Sequence, residues 1–243
     1  FVLRLTLPET PMWLQARGRE AEARAIVDRH FGADYGIPHV DLKPRQAAVG
    51  ELFTARQWRQ SLYSGLFWFC QVGPFFGIFT VMAPVLASLD FQGSMGADLA
   101  LNGIQIAGAV FGVFMLHWMS GRGFVIWTFT IILATFLALG LFPGAPTWVV
   151  VSLFAIYMFV GPASNNIQFV YPPEIFDTHL RATGVGFSAA FSRVSAAGVT
   201  YLLPYLLQHF GFSATLIVMA AFPLLGLILS ILWAPETKHK HLT

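Results

Sequence analysis

The chain has 243 residues, of which 56% are hydrophobic and only 11% are charged, and its mean hydropathy is +0.65. Soluble domains carry about 25% charged residues, so this composition predicts a protein whose outer surface faces lipid. The net charge of +2, without basic residues interleaved with aromatic ones on one face, excludes a nucleic-acid partner. The single cysteine, Cys70, provides neither a disulfide framework nor a thiolate metal site within this sequence.

Six continuous apolar segments are each long enough to cross a bilayer. A membrane-spanning helix needs about 20 apolar residues, because each residue adds about 1.5 Å and the hydrocarbon core is about 30 Å thick. Strands of a membrane β-barrel are alternating segments of about 10 residues, which these longer runs do not resemble. The sequence therefore predicts an all-α, integral membrane six-helix bundle. The predicted spans are residues 61–86, 98–119, 124–142, 147–171, 182–207 and 213–233.

The polar segments around these spans predict the topology. Residues 1–60 hold nine of the fourteen Lys and Arg residues and are expected to lie at the membrane surface, and residues 234–243 form a basic tail. Arg122 and Arg181 lie in two of the short loops, whereas the other three loops contain no Lys or Arg. Because basic residues favour the cytoplasmic side, we expect a multi-pass protein of the cell (inner) membrane with both termini in the cytoplasm.

Several amide side chains lie inside the predicted spans, where unpaired polar groups cost free energy. They are Gln71 in the first span, Asn102 and Gln105 in the second, and Asn165, Asn166 and Gln168 in the fourth. Because an amide both donates and accepts hydrogen bonds, such a cluster at mid-depth suits a neutral or hydroxylated solute. Hydrogen bonding between helices is the alternative use of the same residues.

The fourth span also contains Gly161-Pro162, four residues before Asn165–Gln168. Proline has no backbone N–H, so we expect this pair to break the helix. Broken helices in membranes commonly border binding sites, which favours a binding role for the neighbouring amides.

Arg193 is a charge about eleven residues into the fifth span, or about 16 Å along the helix axis. It must face the bundle interior, pair with a carboxylate, or extend to the membrane surface. The candidate partners are Glu174 and Asp177, and a charge network that gates the protein is its expected role. No Asp or Glu lies deep within a span, so the sequence offers no intramembrane proton carrier.

Other patterns exclude several classes of chemistry. The seven His residues are not paired at metal-ligand spacing, and no GxSxG, HExxH or Walker A pattern occurs. We therefore predict no catalytic residue, no metal site and no enzyme activity. Gly108 and Gly112 have the GxxxG spacing that lets two helices approach closely, which predicts a packing role.

Short motifs occur in the order and spacing of one family. The sequence PETPMWL at Pro8–Leu14 is similar to PESPRWL, and Gly18-Arg19 resembles its GR continuation. Gly121-Arg122 resembles the remnant GR of a later loop, and Pro173–Phe176 with Thr178 and Arg181 resembles PAEIFPTxxR; Pro235–Lys238 resembles PETK. Together these motifs resemble the sugar-porter and metabolite-transporter branch of the major facilitator superfamily over nearly the whole chain.

The resemblance implies that the chain is the C-terminal half of that fold, with the end of helix six and the cytoplasmic central loop in residues 1–60 and helices seven to twelve after them. It places Gln71 on the first glutamine of the helix-seven substrate motif and Phe169 where sugar porters have a helix-ten tryptophan. Val72 and Gly77 replace two residues of the family's hexose site. The predicted substrate-binding set is therefore Gln71, Gln105, Asn165, Asn166, Gln168 and Phe169. The resemblance also implies an inward-side gate, and the predicted gating network is Glu174, Arg181, Arg193 and Arg122.

On this reading the chain is one half of a secondary active or facilitative transporter that moves a small polar metabolite, of the sugar or organic acid class, by alternating access. The expected partners are the substrate, the lipid bilayer and an N-terminal six-helix half. We expect no bound cofactor, and a coupling proton is left open because the resembling family places its coupling carboxylate in the other half. The alternatives are a transporter-like membrane sensor or scaffold, or an inactive truncated fragment.

Overall fold

The computed structural model describes residues 11–30, 48–55, 57–88, 95–176 and 180–235. Several residues of the predicted motifs lie outside these ranges, namely Pro8–Thr10, Asp177, Thr178 and Glu236–Lys238. The chain divides into two compact units, Phe1–Ala47 and Ala48–Thr243.

The described part of the first unit is a helical hairpin of α1 (Pro11–Ala16) and α2 (Glu20–His30). Gly18 ends α1 with a φ of 73°, and the backbone N–H groups of Gly18 and Arg19 donate to the carbonyls of Gln15 and Leu14. This is the Schellman arrangement, in which glycine adopts the left-handed conformation at no steric cost. Arg19 then pairs with Glu22 at 2.6 Å and lowers the pKa of that carboxyl. The Gly18-Arg19 motif thus ends one helix and supports the next.

The described part of the second unit is helical throughout its regular elements. A short 3₁₀ helix, Val49–Phe53, precedes α3 (Trp58–Ser88), α4 (Met95–Trp118), α5 (Gly121–Leu141) and α6 (Thr147–Ile175). The last helical element is Arg181–Trp233, and Gly211 divides it into α7 (residues 181–210) and α8 (residues 212–233). Six long helices therefore follow one another, as the sequence predicts, and the all-α fold class is confirmed.

Gly211 has a φ of 76° and a ψ of −179°, a backbone conformation that only glycine adopts easily. A straight helix of 53 residues would extend about 80 Å, far more than a bilayer needs. The break at Gly211 allows the chain to reverse between α7 and α8.

Four helical elements of the described chain are long and apolar enough to span a membrane. They are Leu99–Trp118, Gly121–Leu141, Thr147–Ile175 and Arg181–Trp233, the last of which comprises α7 and α8. This supports the prediction of a membrane protein. The six helices overlap the six predicted spans, whose exact membrane boundaries stay predictions.

The core of the bundle is built mainly from aromatic and branched side chains of α3, α5, α6 and α8. Phe136, Tyr157 and Met219 are buried in one half of it, and Phe67, Phe129 and Tyr171 in the other. α4 differs, because only 11% of its span is buried within the bundle. It packs on α6 through Gly108 and Gly112, which lie against the main chain of Phe159 and Ala163. The packing role predicted for this GxxxG pair is confirmed.

Helix α6 is continuous through Gly161-Pro162, so the expected break there is wrong. A proline removes one backbone donor, but the residues on either side of this one are held by packing. Tyr157 and Ala163 are both buried in the core, and Gly161 itself is buried. The neighbouring amides are therefore presented by a regular helix and not by an unwound segment.

Candidate functional site

Polar side chains of α3 and α6 meet in the middle of the bundle. The Gln71 side-chain nitrogen donates to both the carbonyl and the hydroxyl oxygen of Ser164. One turn earlier on α3, the Trp68 ring packs edge-on against Phe169 with 5.8 Å between the ring centroids. Because residue numbers fall on α6 as they rise on α3, the two helices run antiparallel along this contact. We call the side chains of Trp68, Gln71, Ser164 and Gln168 the α3–α6 seam.

Three buried polar atoms of the α3–α6 seam have no hydrogen-bond partner. They are the indole nitrogen of Trp68, the side-chain oxygen Oε1 of Gln71 and the side-chain nitrogen Nε2 of Gln168. The three residues are only 5%, 5% and 6% exposed, so these atoms lie away from bulk solvent. An unsatisfied buried group costs about 1–3 kcal/mol, and native proteins leave few of them. Two donors and one acceptor within about one helical turn form a site that a hydroxylated or carboxylated solute could satisfy.

The other predicted substrate residues have different environments. Asn166 donates to the backbone carbonyl of Ala109 at 2.7 Å, which ties α6 to α4. Asn165 and Gln105 are partly buried, and neither side chain hydrogen-bonds to another described residue. Phe169 is 70% exposed. Asn166 and Phe169 line a surface cleft of about 520 Å³ between α4 and α6, so they border a space that the α3–α6 seam does not share.

The four residues of the predicted gating network lie in different environments and do not contact one another as ion pairs in the described ranges. Arg122 donates to the carbonyl of Ile231 at 2.7 Å, which joins the start of α5 to the last turn of α8. Glu174 is exposed and lines a cleft of about 270 Å³ with His117. Arg181 begins α7, and Arg193 is exposed on it. Within the described ranges no ion pair joins these four residues, and their gating role stays a prediction.

Trp68 is the member of the candidate site that sequence reasoning missed. The spacing in the sequence could have indicated it. Trp68 precedes Gln71 by three residues, and residues three apart on a helix share a face. The N–H of a buried indole usually has a hydrogen-bond partner. A tryptophan on the same helix face as a predicted binding residue is therefore itself a candidate binding residue.

Comparisons with known proteins agree with this architecture. The model of the sugar (and other) transporter family matches residues 1–243. The chain is 35% identical to the inner membrane metabolite transport protein YgcS of Escherichia coli (strain K12), over 98% of this chain and 53% of that protein. It is 31% identical to YaaU of the same strain, over 97% of this chain and 53% of that protein.

The chain thus spans about half the length of these curated relatives. The names of the family and of these two relatives describe transport proteins. The six helices, the short motifs and the family match together show that the chain belongs to the sugar (and other) transporter family of the major facilitator superfamily, with the fold of its C-terminal half.

Proposed function

We propose that this chain is one half of a transporter that moves a small polar metabolite, a sugar or an organic acid, across the cell (inner) membrane by alternating access. Family membership supports transport of a small metabolite. The match to about half of each relative supports a second six-helix half that completes the solute pathway. The distribution of Lys and Arg supports a topology with both termini in the cytoplasm.

The observation that carries the proposal is the set of unpartnered atoms in the α3–α6 seam. A bundle that served only to anchor or scaffold would gain stability from apolar side chains at Trp68, Gln71 and Gln168, because each unsatisfied group costs free energy. A transporter retains such groups because a passing solute satisfies them. Polar groups at mid-depth are also where transporters of this kind bind their solutes.

The test is uptake by proteoliposomes that contain the protein at the length its gene encodes. The vesicles are incubated with a mixture of isotope-labelled sugars and organic acids, and the retained solutes are identified by mass spectrometry. We expect Gln71→Leu and Gln168→Leu to reduce uptake of the transported solute about 10-fold or more, because each removes a hydrogen bond to it. The 243-residue chain alone should show no net uptake, since it forms only one wall of the pathway.

A matched control is Thr130→Val, because Thr130 is exposed and its hydroxyl bonds only to Ile126 of its own helix. This variant should transport as the parent does. Solute binding without uptake would favour the sensor alternative. Unchanged uptake in both seam variants would overturn the assignment of the α3–α6 seam to the solute site.

A further inference from the structure

Arg193 carries a positive charge on the exposed face of α7, far from either end of that helix. It follows Arg181, the first residue of α7, by twelve positions, which is about 18 Å along the axis. That distance is too long for the side chain to extend back to the membrane surface on the Arg181 side. A charge at this depth is costly in lipid, so it must face a polar space or an opposite charge.

The bundle itself supplies no carboxylate near Arg193. Its neighbours one turn away on α7 are all alanine, at positions 189, 190, 196 and 197. The sequence has no Asp or Glu from Leu99 to Pro173 or from Arg181 to Ala234, and none in α3. The acidic residues of α4 and α6, Asp98 and Glu174, lie in the first turn of one helix and the last turn of the other. The counter-charge of Arg193 therefore comes from outside these six helices.

Hydrogen bonds between α3 and α7 give the depth of Arg193. Ser64 bonds to Ser188 at 2.7 Å, and Ser195 donates to the carbonyl of Phe69 at 2.7 Å. The two helices thus run in the same direction, with residue 195 level with residue 69. Arg193 precedes Ser195 by two residues and Gln71 follows Phe69 by two, so Arg193 lies about 3 Å before that level and Gln71 about 3 Å beyond it. Arg193 is therefore level with Trp68 of the α3–α6 seam and about 6 Å in depth from Gln71.

We propose that the transported solute is an organic anion, whose carboxylate binds Arg193 and whose remaining polar groups bind the α3–α6 seam. This rests on the proposed function and narrows its solute to acids. An arginine binds a carboxylate with two parallel hydrogen bonds, which gives strength and orientation. The small alanines beside Arg193 leave room for a ligand against the guanidinium, and the seam offers both donors and an acceptor for hydroxyl groups.

The experiment measures thermal stabilisation of the gene-length protein in nanodiscs by matched acid and neutral compounds. The pairs are gluconate and glucitol, lactate and 1,2-propanediol, and benzoate and benzyl alcohol. At least one acid should raise the melting temperature, whereas its neutral partner should not, because ligands stabilise the state that binds them. Arg193→Gln should weaken binding of that acid about 10-fold or more, and Arg193→Lys should retain part of it. Arg29→Gln, an exposed arginine of α2, is the control and should bind as the parent does.

Two results would overturn the inference. One is that no acid of the panel stabilises the protein. The other is that Arg193→Gln lowers the melting temperature without ligand and leaves acid binding intact, which would show that a carboxylate in the rest of the protein pairs with Arg193. If a neutral sugar is bound and transported, and Gln71→Leu abolishes this while Arg193→Gln does not, the anion inference fails and the proposed function stands.

Discussion

The carbonyl oxygen of Phe159 on α6 occupies the position in which a side chain on Gly108 of α4 would begin. One turn along α4, a Cβ atom added to Gly112 would lie 2.7 Å from the Cα atom of Ala163. Because backbone atoms cannot move aside as a flexible side chain can, this contact depends on the absence of both side chains. It is also the main attachment of α4, which is otherwise little buried in the bundle.

We therefore expect Gly108→Ala and Gly112→Ala each to destabilise the bundle by about 1–3 kcal/mol through overpacking. Gly103→Ala is the matched control on the same helix, since nothing lies within 4 Å of its added Cβ atom. That control should be neutral or stabilising, because alanine favours helix over glycine. Melting temperatures measured in one detergent decide the matter, and equal values for Gly103→Ala and Gly108→Ala would contradict the observed helix contact.

The reversal between α7 and α8 gives a second prediction. Gly211→Ala forces a side chain into a conformation with φ of 76°, which should cost about 1–3 kcal/mol. Gly198→Ala, in the open interior of α7, should cost nothing or stabilise slightly. Thermal unfolding of the two variants compares the same chemical change with and without strain. A Gly211→Ala protein as stable as the parent would show that this residue does not need the glycine conformation.

The six-helix fold was predictable because a helix that crosses the hydrocarbon core needs a continuous apolar segment of about 20 residues, and such segments are easy to identify in a sequence. Segments such as 124–142 are apolar on every side, and such a segment has few alternatives to a spanning helix. The Gly161-Pro162 break was wrongly predicted because local propensity was given more weight than packing. α6 is continuous through this pair, and Tyr157 and Ala163 on either side of it are buried in the core.

The candidate site was only partly predictable, because a list of polar residues in a span does not say which direction each one faces. Asn165 and Asn166 are adjacent, yet successive helix positions point about 100° apart. Asn166 bonds to α4, whereas Gln168, two positions further on, is left with an unpartnered nitrogen. That distinction depends on where α3 and α4 pack on α6, which no single span specifies.

Arg122 provides a test of the gating network against a structural role. Its guanidinium donates to the carbonyl of Ile231, where the last turn of α8 has free carbonyl groups that favour a cation. Arg122→Gln should therefore lower stability by about 1 kcal/mol, or about 2–4 °C in melting temperature for a chain of this size. The measurements are the melting temperature of the 243-residue chain and, for the gene-length protein, solute uptake at a temperature well below unfolding. Slow uptake with unchanged stability would instead support the gate that the sequence motifs imply.

The last prediction compares two amides of α6 that should respond in opposite ways to the same substitution. Asn166→Leu removes the hydrogen bond to Ala109 and should cost about 0.5–1.5 kcal/mol of stability. Gln168→Leu removes a buried donor that has no partner, so it should leave stability unchanged or raise it by about 1 kcal/mol. Solute affinity should show the reverse order, with a large loss in Gln168→Leu and a small one in Asn166→Leu. A substitution that raises stability while it lowers ligand affinity is expected wherever a protein keeps unpaired polar groups for its ligand. Melting temperature and solute affinity measured on the same preparations check it, and a Gln168→Leu protein that is both less stable and fully active would mean that Gln168 serves the fold and not the solute.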